Sequence, residues 1–234
     1  MARFEQGRSR LAERTTPEIY VFDAYGTLLD VHSAVARLRD RVGPDADRLS
    51  QLWRTKQLEY SWVRTLMGRY RDFWSLTEDA LDFAIASVGG VDRGVRAELL
   101  DAYRALDAYP EVPAVLTELR GRGAKTAILS NGSPGMLRAA IEAAGIDGLL
   151  DATLSVDALG VFKTDPRTYA LVGERFGCEP RAVSFQSSNR WDIAGATAFG
   201  FRCRWINRTG APEEYADLSP VETLKGLDEL LSVS

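Results

Sequence analysis

Four polar clusters in this chain hold residue types that could do covalent chemistry: Asp23 in Phe22-Asp23-Ala24-Tyr25-Gly26-Thr27, then Ser130-Asn131-Gly132, then Lys163-Thr164-Asp165-Pro166, then Ser187-Ser188-Asn189 with Asp192 just beyond. Asp23 is the group around which the others make sense. It directly follows Ile19-Tyr20-Val21-Phe22, an apolar, β-prone run with the composition of a strand buried on both faces. An acid there sits at the strand's carboxyl end, the edge of an open parallel sheet at which ligands bind. Gly26-Thr27 allows a sharp turn whose N–H groups can face an anion. Taken singly, Ser130 and Asn131 are turn formers, Asp192 a helix cap and Lys163 a solvated loop lysine. Their joint occurrence at successive strand ends argues for one site.

The elements that must position these groups can be read from periodicity. From about Val31 to Ala108 there is no strand-like run. Apolar residues recur there at helical spacing instead: Leu49, Leu52, Trp53, Tyr60, Val63 and Met67 along one side, and Ala80, Leu81, Ala84, Ile85 and Val88 along another. Thr77-Glu78-Asp79-Ala80 reads as a capped helix start and Gly89-Gly90 as a stop, giving an insert of about four helices. From Tyr109-Pro110 onward helix and strand alternate, the signature of a parallel α/β sheet. Helices are expected at 112–120 and 134–144, with another opening at Asp165-Pro166, and strands at 126–129, 152–156, 182–185 and 201–206. The expected architecture is α/β: a doubly wound, Rossmann-like core over 19–30 and 109–234, with a helical cap over 31–108 and a polar extension over 1–18.

Composition narrows the function classes. With 234 residues, 45% hydrophobic and 26% charged, the chain can bury a core of useful size. A net charge of -4 with dispersed basic residues offers no nucleic-acid footprint. No apolar run approaches the length of a membrane span, and Met1 to Glu18 lacks the apolar region of a secretory signal. A cytoplasmic protein is expected, with Cys178 and Cys203 as buried spectator thiols. His32 is the only histidine, which excludes a Ser-His-Asp triad and a multi-histidine metal site; a structural role is expected for it.

The order Asp-x-x-Gly-Thr, Ser-Asn-Gly, Lys-x-Asp-Pro and a last acid resembles the haloacid dehalogenase superfamily. More closely, Asp23 to Leu28, Leu52-Trp53-Arg54, Leu129 to Ser133, Lys163 to Pro166 and Ser187 to Asp192 resemble the L-2-haloacid dehalogenase family, over about Ile19 to Gly210. Phosphatases of that superfamily carry a second Asp two residues after the nucleophile and hold Mg²⁺ against a phosphate dianion. Here that second position is Tyr25, and Asp192 is the only acid between Gln186 and Asp192. Displacing a halide needs neither feature. It needs an ionised nucleophile, anchors for the substrate carboxylate and donors for the departing halide.

The resemblance implies hydrolytic dehalogenation of short L-2-haloacids to D-2-hydroxy acids, without metal or other cofactor, by a homodimer built through the helical insert. It implies that Asp23 attacks C2 to give an ester with inversion, and that Lys163 and Arg54 keep Asp23 ionised. Arg54 and Asn131 are assigned to the halide; Ser130 and backbone N–H groups near Ala24 and Tyr25 are assigned to the substrate carboxylate, with Lys163 on that carboxylate or the nucleophile. Asp192 with Ser187 and Asn189 is assigned to the hydrolytic water. Thr27 is expected to hydrogen-bond near Asp23, Tyr169 to support the site, and Leu58, Phe73 and Trp191 to line the alkyl pocket. Arg190 departs from the small residue usual at its place, so it either alters the pocket or points to solvent. A Mg²⁺-dependent phosphatase and a non-catalytic small-anion binder are the competing readings.

Overall fold

The computed structural model describes residues 19–92, 94–218 and 221–232. The 1–18 extension therefore lies outside the described residues. A six-stranded, wholly parallel sheet forms the centre, in the order β3-β2-β1-β4-β5-β6. Its strands are β1 (Ile19–Phe22), β2 (Lys125–Ser130), β3 (Ala152–Ser155), β4 (Val183–Ser187), β5 (Arg202–Ile206) and β6 (Glu222–Leu224).

The apolar run before Asp23 forms β1 as expected, and all its residues are buried. It is flanked by β2 and β4, with Phe22 in register with Ile128 and Gln186. Chain order reverses on either side of β1, the kind of switch point at which open α/β sheets place their ligand crevice. Helices α6 (Val112–Gly121), α7 (Pro134–Ala143), α8 (Pro166–Phe176) and α9 (Arg190–Phe199) cover this sheet. Asp165 caps α8 by accepting from the Arg167 N–H, with Pro166 at the first position, where no donor is lost.

Between β1 and α6 lie α1 (Ser33–Arg37), α2 (Arg39–Val42), α3 (Ala46–Leu66), α4 (Phe73–Val88) and α5 (Val95–Arg104). That is five helices where the periodicity suggested about four, the short α1 and α2 being too brief to read. The chain leaves and returns side by side: Leu29 and Ala108 form an antiparallel bridge, the Asp30 N–H donates to Asp107 O, and the Tyr109 N–H donates to Leu28 O.

Two readings need correction. Helix α4 begins at Phe73 with Asp72 as its cap, accepting from the Ser75 N–H, and Thr77 lies inside the helix. Thr77 looks like a cap because the acids follow it, but its hydroxyl is bound to Phe73 O one turn back. Val63 and Met67 are not on the buried side of α3; they are 49% and 51% exposed. The buried row is Leu49, Trp53, Gln57 and Ser61, spaced by four. Strand β6 is too short and polar to announce itself. Cys178 and Cys203 are free, but only partly buried. No helix among the described residues is long and apolar enough to cross a membrane.

Candidate active site

The carboxyl ends of β1, β2 and β4 bring Asp23, Ser130 and Ser187 to one edge of the sheet, where all three are buried. The Asp23 N–H donates to Gln186 O of β4, fixing the backbone beneath the carboxylate. Gly26, at φ +95°, lets the chain fold back so that the Thr27 and Leu28 N–H groups return to Ala24 O. This turn carries the Thr27 hydroxyl to Asp23 Oδ2 at 3.2 Å. Asn189 Nδ2 donates to the same oxygen at 2.8 Å, and Lys163 Nζ to Oδ1 at 3.2 Å. The nucleophile candidate is thus held by three donors and faces an ammonium that is 1% exposed.

Lys163 bridges two acids. Its Nζ lies 2.7 Å from Asp192 Oδ2, while the Tyr169 hydroxyl donates to Asp192 Oδ1 at 2.8 Å. Asp192 sits in the first turn of α9, where the helix N-terminus favours negative charge. It is completely buried, and burial pushes its pKa up from 3.8 to about 6; Lys163 pulls it down and Asp23 pushes it further up. Burial works to lower the Lys163 pKa, but the carboxylates of Asp192 and Asp23 outweigh it and raise the value. Burial also holds the Tyr169 hydroxyl well above its ordinary pKa, so it stays a donor.

Hydrogen-bond polarity shows what the neighbouring groups have left to offer. Asn131 Oδ1 accepts from the Lys163 backbone N–H at 2.9 Å, so the group it can present to a ligand is its NH₂. Ser130 Oγ accepts from the Gly132 N–H at 3.2 Å, which leaves its proton to donate. Ser187 Oγ accepts from the Asn189 N–H at 3.1 Å, and the Ser188 N–H donates to Thr27 Oγ1 at 2.9 Å, tying the β4 loop to the β1 loop.

The helical insert supplies Arg54, Leu58 and Phe73. Arg54 of α3 reaches down to the β1 loop, with Nη2 3.0 Å from Tyr25 O. Leu58 follows Arg54 one turn later on the same helix face. Phe73 is buried, its ring centroid 6.3 Å from that of Tyr25 and 5.7 Å from Phe162. Ala24 and Tyr25 are buried as well. Trp191 is half-buried and meets Trp62 of α3 edge-on at 5.4 Å; it also lines a groove of ≈740 Å³ with Trp62, Thr164, Pro166 and Phe199. Arg190 neither points to solvent nor stands free. It is 3% exposed, donates to Glu213 at 2.7 Å and lies over the Tyr215 ring. His32 is bound through Nδ1 to Ser50 Oγ at 2.7 Å, which ties α1 to α3.

Three residues at or behind the site have no sequence motif. Arg208 donates to Thr27 O at 3.0 Å and pairs with Glu111 at 2.6 Å, bracing the β1 loop against the return of the chain to the core. Gln57 and Tyr103 meet beneath Arg54. The one available signal is Gln57 itself, a polar residue interrupting the buried row of α3.

The donor set does not fit a divalent cation between nucleophile and last-loop acid. That cation would need several oxygen ligands. Here the Lys163 ammonium spans the two carboxylates, and position 25 presents a buried tyrosine ring instead of a second acid.

The sequence of residues 17–200 matches the model of the haloacid dehalogenase-like hydrolases. The chain is 50% identical, over 90% of its length and 91% of the relative, to (S)-2-haloacid dehalogenase 4A of Burkholderia cepacia. The chain belongs to the haloacid dehalogenase-like hydrolase family. Its fold matches a crystallised dehalogenase with a TM-score of 0.92 and 47% identity, covering 94% of this chain and 98% of that one. It also matches the L-2-haloacid dehalogenase of Xanthobacter autotrophicus with chloropropionic acid covalently bound, with a TM-score of 0.84 and 39% identity over 93% of this chain and 98% of the other.

Proposed function

We propose that this family member is an (S)-2-haloacid dehalogenase acting on short L-2-haloalkanoates. The observation that carries the proposal is the buried Asp23 carboxylate, gripped by Lys163, Thr27 and Asn189 and backed by Asp192. The division of labour follows the chain: the described residues of 19–30 and 109–234 form the core that bears the nucleophile, and those of 31–108 form the cap that brings Arg54, Leu58 and Phe73 over it.

In the first step a lone pair of the Asp23 carboxylate forms a bond to C2 while the carbon–halogen bond breaks, its electron pair leaving with the halide. Attack from the opposite face inverts C2. Arg54 and the Asn131 NH₂ stabilise the departing anion. The Ser130 hydroxyl and the N–H groups near Ala24 and Tyr25 hold the substrate carboxylate, and Lys163 offsets the two nearby negative charges. Leu58, Phe73 and Trp191 bound the alkyl group.

In the second step water attacks the ester carbonyl carbon of Asp23. Asp192, with a pKa raised to about 6, takes the proton, as a base poised near working pH does well; Ser187 and Asn189 orient the water. The tetrahedral intermediate collapses, the released alkoxide takes the proton from Asp192 to become the D-2-hydroxy acid, and the regenerated Asp23 carboxyl loses its proton to solvent. No cofactor enters either step.

The enzyme works in the cytoplasm as a homodimer. The exposed Trp62, Val63 and Leu66 of α3, with Met67 just past its end, provide an apolar face on the helical insert for the second copy. Halide release from L-2-chloropropionate in the presence of EDTA tests the function. Equimolar chloride and D-lactate are expected; hydrolysis of a phosphate ester only, and only with Mg²⁺, would overturn it.

A further inference from the structure

The guanidinium of Arg54 does not reach the site unaided. Its Nη1 donates to Gln57 Oε1 at 2.8 Å, and Gln57 is 1% exposed in the core of the helical insert. A buried amide must satisfy both of its ends, and its surroundings decide which end faces Arg54. The Thr77 hydroxyl proton is committed to Phe73 O at 2.7 Å. Thr77 Oγ1 can therefore only accept from Gln57, and Gln57 Nε2 donates to it at 2.6 Å. With the NH₂ turned to Thr77, the carbonyl oxygen is directed at Arg54.

Tyr103 closes the arrangement. Its hydroxyl lies 3.0 Å from Gln57 Nε2 and 3.1 Å from Oε1. Its ring stacks on the Tyr25 ring at 5.8 Å with the planes 11° apart. Tyr25 in turn offers its carbonyl to Arg54 Nη2. A ring of contacts thus runs from Arg54 through Gln57 and Tyr103 to Tyr25 and back. Through Thr77 it also reaches the backbone of Phe73.

We infer that Gln57 is a positioning residue for the reaction: its amide oxygen, aimed by Thr77, holds the Arg54 guanidinium over the β1 loop, where it receives the leaving halide. The inference rests on the proposed function, in which Arg54 is the halide anchor. Arg54 has directed bonds to Gln57 and to Tyr25 O, and the Tyr103 hydroxyl, itself held by Gln57, also interacts with it. Loss of the Gln57 amide removes the first bond and also releases the Tyr103 hydroxyl, so a long, flexible cation can swing about the bond to Tyr25 O.

The test is a double-mutant cycle on halide release under single-turnover conditions, with Gln57→Met, Arg54→Met and the pair. Methionine keeps the volume and removes the acceptor. Gln57→Met is expected to lower the displacement rate about 30-fold, the size of a hydrogen bond to a charged group. In the Arg54→Met background the same change is expected to cost less than about 3-fold, because the two residues act as a unit. A Gln57→Met enzyme as fast as the parent, or losses that multiply in the pair, would overturn the positioning role. An undiminished rate in Arg54→Met would instead overturn the anchor reading itself. Should Gln57→Met fail to fold by circular dichroism, Thr77 decides: Thr77→Ser, which keeps the hydroxyl, should retain the parental rate and Thr77→Val should lose rate. Equal rates for those two variants would contradict the inference.

Discussion

Asp192 Oδ2 lies 2.7 Å from Lys163 Nζ, and neither side chain is more than 1% exposed. The pair sits directly behind the nucleophile candidate, because the same ammonium also contacts Asp23. A buried ion pair adds little net stability against a well-packed apolar replacement, and removing one partner strands the other charge. In the proposed mechanism its value is functional: it keeps an ionisable base next to the ester that water hydrolyses.

Asp192→Asn should therefore separate the two half-reactions. In the proposed mechanism displacement needs Asp23, while hydrolysis needs the base. Incubation with L-2-chloropropionate should release about one equivalent of chloride per site and then stall, with the Asp23-containing peptide carrying the added acyl group in mass spectrometry. Continued turnover at the parental rate would show that another group activates the water.

The pH profile should carry the same signature. Because Asp192 is pushed up to about 6, acidification through that value protonates the base, and the hydrolysis rate should fall below pH about 6. The Tyr169 hydrogen bond favours the carboxylate form, so Tyr169→Phe should move this limb to higher pH. Stability runs the opposite way for this group. Its folded pKa lies above the unfolded 3.8, so its contribution is largest below pH 4 and declines as pH rises from about 4 to about 6. An acid limb that Tyr169→Phe leaves in place would assign it to another group.

Packing beneath the site is also open to test. Phe185 of β4 is completely buried, meets the Tyr169 ring edge-on at 6.1 Å and lies under the Lys163 ammonium at 5.1 Å. Phe185→Ala should cost about 3–5 kcal/mol in urea unfolding. A loss below about 1 kcal/mol would mean that the cluster collapses around the gap, as well-relaxing cores do.

The legible parts were those written in local pattern. β1 and Asp23 stand out because four buried apolar residues end abruptly in an acid and a glycine turn, and Asp165-Pro166 announces α8 because cap and first-turn chemistry are local. Thr77 misleads because cap residues and back-bonded helix interior residues share a composition, and only burial tells them apart. Val63 and Met67 mislead because spacing identifies a stripe without saying whether anything covers it. Tyr103 and Arg208 are silent in sequence, since Gln57 lies 46 residues from Tyr103 and Thr27 lies 181 from Arg208; Gln57 gives only the weak signal of a polar residue in the buried row of α3, its link to Thr77 spanning 20 residues.

Single-turnover reaction in ¹⁸O-labelled water, with enzyme in excess over L-2-chloropropionate, tests the central claim most directly. If the Asp23 carboxylate attacks C2, the first lactate carries an unlabelled hydroxyl oxygen from the protein, and ¹⁸O appears in the Asp23 side chain. Label in the hydroxyl of that first lactate, with Asp23 unlabelled, would contradict the account, because water would then have displaced the halide itself.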